Sequence, residues 1–228
     1  MMKTDMTASD QDPVLATVAG SSAALQALLQ ARQTVLPRRL AAPGPDAQQL
    51  RAIVAAAAAA PDHGRLLPWF FVLVPAGARD ALGRAFAQAL RERDPEASPE
   101  QLAQAHEKAL RAPTLLVAVL DAGCGGAPDI DAFERAVSAG CAIDNLLLMA
   151  TALGFGSALT SGKALQSRPL RDLLGLAPGQ RALCCISLGT VAARKPPRQR
   201  PQVHDFLRVL VSGQGAQAVS IHSTENPL

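Results

Sequence analysis

The residues best suited to chemistry stand together in the stretch from Ala60 to Trp69. It places Asp62, His63 and Arg65 between two prolines, and Trp69 is the only tryptophan of the chain. An imidazole exchanges protons near neutral pH, and loops between elements carry functional groups more often than cores do. Two structural interpretations stand beside this one: His63 caps carbonyls of the preceding helical turn, and Asp62 is a turn residue.

Several common kinds of site have no support in the sequence. His63 has no partnered nucleophile at a diagnostic spacing, so a hydrolytic triad is not predicted. Cysteines 124, 141, 184 and 185 form no CxxC pair and have no ligand-like spacing to histidine, so we expect neither a metal site nor a disulfide framework. Cys184 and Cys185 are interpreted as small core residues. No Walker loop or G-x-G-x-x-G fingerprint is present, and Gly123 to Gly126 is interpreted as a surface turn.

Two arginines are candidates for holding a phosphate, because a guanidinium donates paired hydrogen bonds that match phosphate geometry. Arg32 ends the first predicted helix and Arg194 follows the last predicted strand, although either arginine taken alone is better explained as a solvated surface charge. The basic segment from 194 to 200 leaves polyanion binding as a weaker alternative. With aromatic residues at 3% and no tyrosine, the chain has little from which to build a stacking platform, so we expect no nucleic acid.

Length and composition indicate one globular domain. The chain has 228 residues, of which 49% are hydrophobic and 18% charged, which excludes wholesale disorder. We predict a flexible leader over 1–20, a domain over 21–211 and a polar tail over 212–228. Because Met1 to Pro13 is polar, we expect no secretory signal and a cytoplasmic protein.

Periodicity and capping signals place the elements around the loop. A helix is predicted from Ser21 to about Arg32, and capping boxes begin two further helices, Asp46 with Gln49 and Ser98 with Gln101. Continuous apolar runs predict three buried strands, the first of them buried on both faces. These strands are Trp69 to Val74, Thr114 to Leu120 and Leu183 to Thr190.

A long apolar helix is predicted from Asp129 or Asp131 to Gly154. Asp144 and Asn145 lie at its centre, where a charge in a bilayer costs roughly 2.5 to 3.5 kcal/mol, so we expect no membrane span but a helix buried on all sides. Its polar centre would be satisfied by a contact across a dimer interface or by a helix-terminal backbone group. The order of elements predicts an α+β fold or three-layer sandwich.

Six short motifs in one order resemble the nitroreductase family of FMN flavoproteins, and most of all its small members. The likeness covers roughly residues 22 to 210. The motifs are Arg32-Gln33-Thr34, Leu40-Ala41-Ala42-Pro43, Ala60-Pro61-Asp62-His63 with Pro68-Trp69, Ser138-Ala139-Gly140-Cys141-Ala142, Gly154-Phe155-Gly156 with Thr160-Ser161-Gly162, and Leu188-Gly189-Thr190.

The resemblance implies a nitroreductase-like α+β three-layer sandwich that forms an obligate homodimer, with long central helices at the interface and FMN bound between subunits. It assigns cofactor contacts to eight residues. By this resemblance, Arg32, Gln33 and Thr34 contact the phosphate and pyrimidine side of FMN, and His63 contacts the flavin of the partner chain. Leu159, Thr160 and Ser161 contact the flavin ring, and Arg194 is a second contact to the phosphate.

Departures from the family pattern concern positive charge. Gln33 replaces an arginine, and Ala59 stands where small members carry one. Fewer cations near the flavin would weaken phosphate binding or stabilise the anionic hydroquinone less, and Arg38, Arg39 or Lys163 are candidates to compensate.

The function implied is that of an FMN-dependent NAD(P)H oxidoreductase that reduces a nitroaromatic, a quinone or a similar small acceptor by a ping-pong mechanism. We expect no catalytic side chain, since FMN carries the chemistry. The alternative is a catalytically weak or inactive flavin-binding or interaction module of the same fold, which Gln33 and Ala59 motivate.

Overall fold

The computed structural model describes residues 22–193, 196 and 199–218. The chain divides into two compact units, Met1–Arg194 and Lys195–Leu228, which are described separately below. The predicted domain, 21–211, therefore spans the first unit and part of the second. The predicted leader and Arg194 lie outside the described residues.

The first unit has six α-helices and five strands among its described residues. The helices are α1 Ser22–Ala31, α2 Ala47–Ala55, α3 Arg79–Arg93, α4 Pro99–Glu107, α5 Ala132–Ala152 and α6 Arg168–Leu174. The strands are β1 Leu40–Ala41, β2 Trp69–Leu73, β3 Thr114–Asp121, β4 Gly156–Thr160 and β5 Gln180–Val191. Both predicted capping boxes are confirmed, at Asp46 with Gln49 and at Ser98 with Gln101.

The strands form an antiparallel sheet in the order β1-β5-β3-β2, and β4 also pairs with β5. Successive residues of β3 point to opposite faces, so Leu116 packs with Ile53 of α2 and Leu146 of α5. Val117 packs on the other face with Leu82 of α3 and with α6. Helices therefore cover both faces of the sheet, which confirms the predicted α+β three-layer sandwich.

Strand β2 is less buried than predicted. Phe70 is 36% and Leu73 47% exposed, so the prediction of burial on both faces is wrong for this strand. It stands at the end of the strand order and pairs with β3. A continuous apolar run does not distinguish a central strand from one at the edge of a sheet.

Helix α5 also departs from its prediction. Its N-cap is Asp131, whose carboxylate accepts a hydrogen bond from the Glu134 amide at 2.8 Å. One face packs on the sheet, but Phe133 is 78% and Val137 53% exposed, so burial on all sides is wrong within one chain. Asp144 is exposed to solvent within one chain, so the predicted contact across a dimer interface stays a prediction. Among the described residues, no helix is long and apolar enough to cross a membrane.

Arg79, at the first position of α3, ties three elements together. Its Nε donates to Val74 O at 2.7 Å, and Nη1 donates to Ala109 O and Ala112 O at 3.0 and 3.1 Å. Its Nη2 donates to Pro113 O at 3.2 Å. The side chain is buried, so these bonds satisfy a cation that would otherwise be costly to desolvate.

The second unit contains the short helix α7 Val203–Phe206 and a hairpin of β6 Arg208–Val211 and β7 Gly215–Ala218. The predicted tail, 212–228, therefore contains the turn and the second strand of this hairpin, and residues 219–228 lie outside the described part of the chain.

Candidate functional site

The segment after α1 runs beside strand β4. Thr34 forms an isolated parallel bridge with Ser157, and the Val35 amide donates to Ser157 O at 2.8 Å. Leu159 follows two residues later on β4. The end of the first motif, at Thr34, is thus a neighbour of the strand that carries Leu159.

A cleft of about 570 Å³ opens beside these two segments. Its volume lies within the roughly 300–1,000 Å³ typical of small-molecule sites. One wall comes from Leu36 to Arg38 and a second from Thr160 to Leu165, while α3 and the residues following α4 supply the third. Cys185 and Ser187, which are buried residues of β5, lie at its base.

The cleft combines an apolar interior with positive charge. Phe86, Leu90 and Leu165 supply apolar surface of the kind that holds an aromatic ring. Among the residues that the structure describes, its lining also contains five basic residues and no aspartate or glutamate. The five are Arg38, Arg93, Lys108, Arg111 and Lys163.

Two of the predicted cofactor residues, Thr160 and Ser161, line the cleft directly, and both are exposed. Arg32 and Gln33 are half-buried between α1 and the Thr34 bridge, next to the cleft but outside its lining. Leu159 is exposed on β4 and likewise lies outside the lining.

Three cations are candidates to replace the positive charge that the family's arginines supply near the flavin, and two of them lie at the cleft. Arg38 and Lys163 both line the cleft, on the walls that also carry Thr160 and Ser161. Arg39 does not line it and is half-buried. Arg194, the remaining predicted phosphate partner, lies outside the described residues.

His63 lies outside the lining of the cleft in its own chain. Its ring Nδ1 is 2.6 Å from Oε1 of Glu134, in the first turn of α5, and both side chains are exposed. The capping interpretation of His63 is therefore wrong, because the partner of its ring is a side chain on another helix. The resemblance assigns His63 to the partner's flavin, and this assignment stays a prediction.

The loop that carries His63 is held by hydrogen bonds and stores backbone strain. The Asp62 carboxylate accepts from the Leu67 amide at 2.7 Å, which confirms its turn role. Arg65 and Leu67 have positive φ angles of 53° and 50°, a region that side chains disfavour. Trp69 is buried as predicted, and its Nε1 donates to Ser138 Oγ of α5 at 3.0 Å.

The adjacent cysteines are core residues, as predicted. Burial raises the pKa of Cys184 to about 11 and that of Cys185 to about 12, so both thiols stay protonated and are poor nucleophiles at neutral pH. No group of three or more histidine, cysteine, aspartate or glutamate residues within the described ranges is arranged to hold a metal ion.

Sequence reasoning missed the three basic residues that α3 and α4 bring to the cleft. Phe86, Leu90 and Arg93 follow a spacing of four and three, so they share one face of α3. Lys108 and Arg111 follow Ala105, near the end of α4, at steps of three residues each. A basic residue that continues an apolar stripe of a helix is the sequence signal that would have predicted these residues as part of the site.

Comparison with known proteins tests the resemblance. The profile of the Nitroreductase family matches residues 29–190, which is most of the chain. The chain belongs to the nitroreductase family. A Haemophilus influenzae protein provisionally named an NAD(P)H nitroreductase is 35% identical over 155 residues, which cover 67% of this chain and 82% of that protein.

Solved structures show the same nitroreductase fold. A nitroreductase-like family protein from Bacillus cereus aligns with a TM-score of 0.69 at 19% identity, over 83% of this chain and 96% of its own. An iodotyrosine deiodinase bound to FMN and 3-iodo-L-tyrosine aligns with a TM-score of 0.60 at 20% identity, over 78% of this chain and 96% of its own. The family and the fold class predicted from the six motifs are thereby confirmed.

Proposed function

We propose that the protein is an FMN-dependent NAD(P)H oxidoreductase that reduces a small acceptor such as a nitroaromatic or a quinone. The observation that carries this proposal is the cation-lined cleft at Thr160 and Ser161. The 35% identical relative is named for NAD(P)H nitroreduction, and the aligned deiodinase structure is bound to FMN.

The residues present fit FMN by their chemistry. The flavin needs an apolar slot for its ring, hydrogen-bond donors along one edge, and cations for its phosphate. On the walls formed by residues 36–38 and 160–165, Leu36 and Leu165 supply apolar surface, and Arg38 and Lys163 supply cations. A phosphate carries about two negative charges, which these two cations balance.

Each part of the chain then has a definite task. When bound, FMN supplies the chemistry of accepting hydride and passing electrons on. Arg32, Gln33 and Thr34 bind its phosphate and pyrimidine side in this proposal, and Thr160 and Ser161 orient the ring with backbone and hydroxyl groups. NAD(P)H and the acceptor occupy the remaining open side of the cleft in turn, which is a ping-pong order.

The functional unit we propose is a homodimer. Phe133 and Val137 form an exposed apolar patch on α5, the kind of surface that marks a protein interface. Close to this patch, the Glu134 carboxylate holds the ring of His63. Pairing of two α5 helices would carry each His63 towards the cleft of the other chain, as the resemblance implies.

The binding part of the proposal is tested by titrating FMN into cofactor-free protein. We expect Arg38→Gln and Lys163→Gln each to weaken FMN binding roughly three- to tenfold, because each removes a cation from a partly enclosed cleft. The matched control is Arg51→Gln, an exposed cation on α2 outside the cleft. Equal affinity in all three variants would remove the cleft as the phosphate site.

The inactive-module alternative is separated from the enzyme by reduction. FMN that binds tightly but is not reduced by NADH or NADPH would favour the module. Reduction by either nucleotide favours the oxidoreductase.

A further inference from the structure

We infer that the third wall of the cleft, which Arg93, Lys108 and Arg111 supply, recognises an anionic group on the substrate that approaches the flavin. The group is a carboxylate or a phosphate. This inference rests on the proposed function, because it assumes that the other two walls hold FMN.

The three residues reach the cleft from two elements. Arg93 is the last residue of α3, on the same face as Phe86 and Leu90. Lys108 directly follows α4, and Arg111 comes three residues later. Because the wall is assembled from a helical hairpin, its basic side chains converge only in the folded protein.

The positive charge of this wall is only partly neutralised. Arg111 forms an ion pair with Glu107, with 3.3 Å between Nη2 and Oε2. Among the described residues, no ion pair involves Arg93 or Lys108, although neighbouring pairs such as Arg84 with Asp80 do form on the same hairpin. A cleft lined by one sign of charge concentrates counter-ions of the opposite sign.

The cations exceed what FMN requires. The FMN phosphate carries about two negative charges, which Arg38 and Lys163 match on the walls assigned to the flavin. Arg93 and Lys108 are therefore left for a second anion. Their position beside Phe86 and Leu90 suits a substrate with an apolar or aromatic body and one anionic substituent.

Two kinds of substrate could carry the anionic group that this wall recognises. One is an acceptor that carries a carboxylate, and the other is NADPH, whose 2′-phosphate distinguishes it from NADH. The probes that separate them are 4-nitrobenzoate against its neutral methyl ester, and 2′,5′-ADP against 5′-AMP.

The experiment compares Arg93→Gln and Lys108→Gln with Arg91→Gln, which removes an exposed cation from α3 outside the cleft. Binding of each probe is measured by calorimetry, on protein with and without added FMN. We expect the dissociation constant of at least one anionic probe to rise roughly three- to tenfold in both cleft variants. The methyl ester and the Arg91→Gln control should show no change.

The pattern of results identifies the source. A change confined to 4-nitrobenzoate assigns the wall to the acceptor, and one confined to 2′,5′-ADP assigns it to NADPH. The inference is overturned if neither anion binds more weakly in the cleft variants than in Arg91→Gln, or if the neutral ester weakens equally. Wild-type protein that takes up no FMN would instead contradict the proposed function, and the FMN-free titrations would still decide the role of the wall.

Discussion

Arginine has two distinct roles in this chain. Arg79 and Arg135 are buried and donate to backbone carbonyls, so they fix segments of the fold. Arg38 and Arg93 line an open cleft, where their charge is available to a ligand. The difference is set by tertiary position, because all four look like ordinary surface cations in the sequence.

Arg79→Met should destabilise the protein by about 3 kcal/mol or more, since four carbonyls lose their donor and a buried group without a partner costs roughly 1–3 kcal/mol. Arg84→Met, on the same helix, removes an exposed pair with Asp80 and should cost less than about 1 kcal/mol. Urea unfolding measures both. Equal losses would mean that the Arg79 bonds contribute little to stability.

Arg32→Ala should lower FMN affinity by roughly 1.5 to 3 kcal/mol, the expected loss for a hydrogen bond to a charged group. Arg32 precedes the Thr34 bridge that sets the first motif beside β4. The measurement is quenching of FMN fluorescence on binding, with Arg51→Ala as the control on α2. An unchanged dissociation constant would mean that the motif is assigned to the wrong residues.

Cys185 should make the protein sensitive to alkali. Burial raises its pKa from 9.0 to about 12, so above pH 9 the unfolded chain loses a proton that the folded protein keeps. The contribution of this thiol to the free energy of unfolding is fully present below pH 9 and is lost as the pH rises towards about 12. Urea midpoints of wild type should therefore fall more steeply over this range than those of Cys185→Ala. Parallel slopes would show that the thiol does not contribute.

Local signals in the sequence predicted individual residues well where the partner is near. The cap at Asp46 and the turn role of Asp62 involve partners within five positions, and both are confirmed. The contact of His63 with Glu134 spans 71 positions, and no local pattern encodes it. The cations of the α3 and α4 wall were missed for the same reason.

At the scale of elements, apolar runs predicted where strands and helices lie but not how far each is covered. The runs of β2 and β3 look alike, yet β3 is central and buried while β2 exposes Phe70 and Leu73. The sequence of helix α5 is largely apolar, but the sheet covers one face only. Burial depends on what packs against an element, and the sequence of the element does not contain that information.

The exposed face of α5 carries a prediction about assembly. Val137→Arg places a charge in the centre of the proposed interface and should convert a homodimer to a monomer, because an unpaired buried charge is costly. Light scattering should then give the 23.7 kDa of one chain in place of twice that mass. Gln48→Arg, which adds the same charge to the exposed surface of α2, should leave the dimer intact. A wild-type monomer would contradict the proposal directly.

For the whole molecule, the order of six modest motifs predicted more than any single element did. It gave the family and the three-layer fold, which the match over residues 29–190 and the aligned structures confirm. It also singled out the segments at Thr34 and Thr160, of which Thr34 bridges to Ser157 of β4 and Thr160 lines the cleft. The third wall of that cleft arises from the way α3 and α4 pack, which motif order does not specify.

The visible spectrum of the purified protein, taken before and after anaerobic addition of NADPH and then NADH, decides whether the protein binds FMN and whether a nicotinamide reduces it. We predict a yellow protein whose flavin absorption is bleached by at least one of the two nucleotides and restored by a nitroaromatic or quinone. A colourless protein that also fails to take up added FMN would contradict the account.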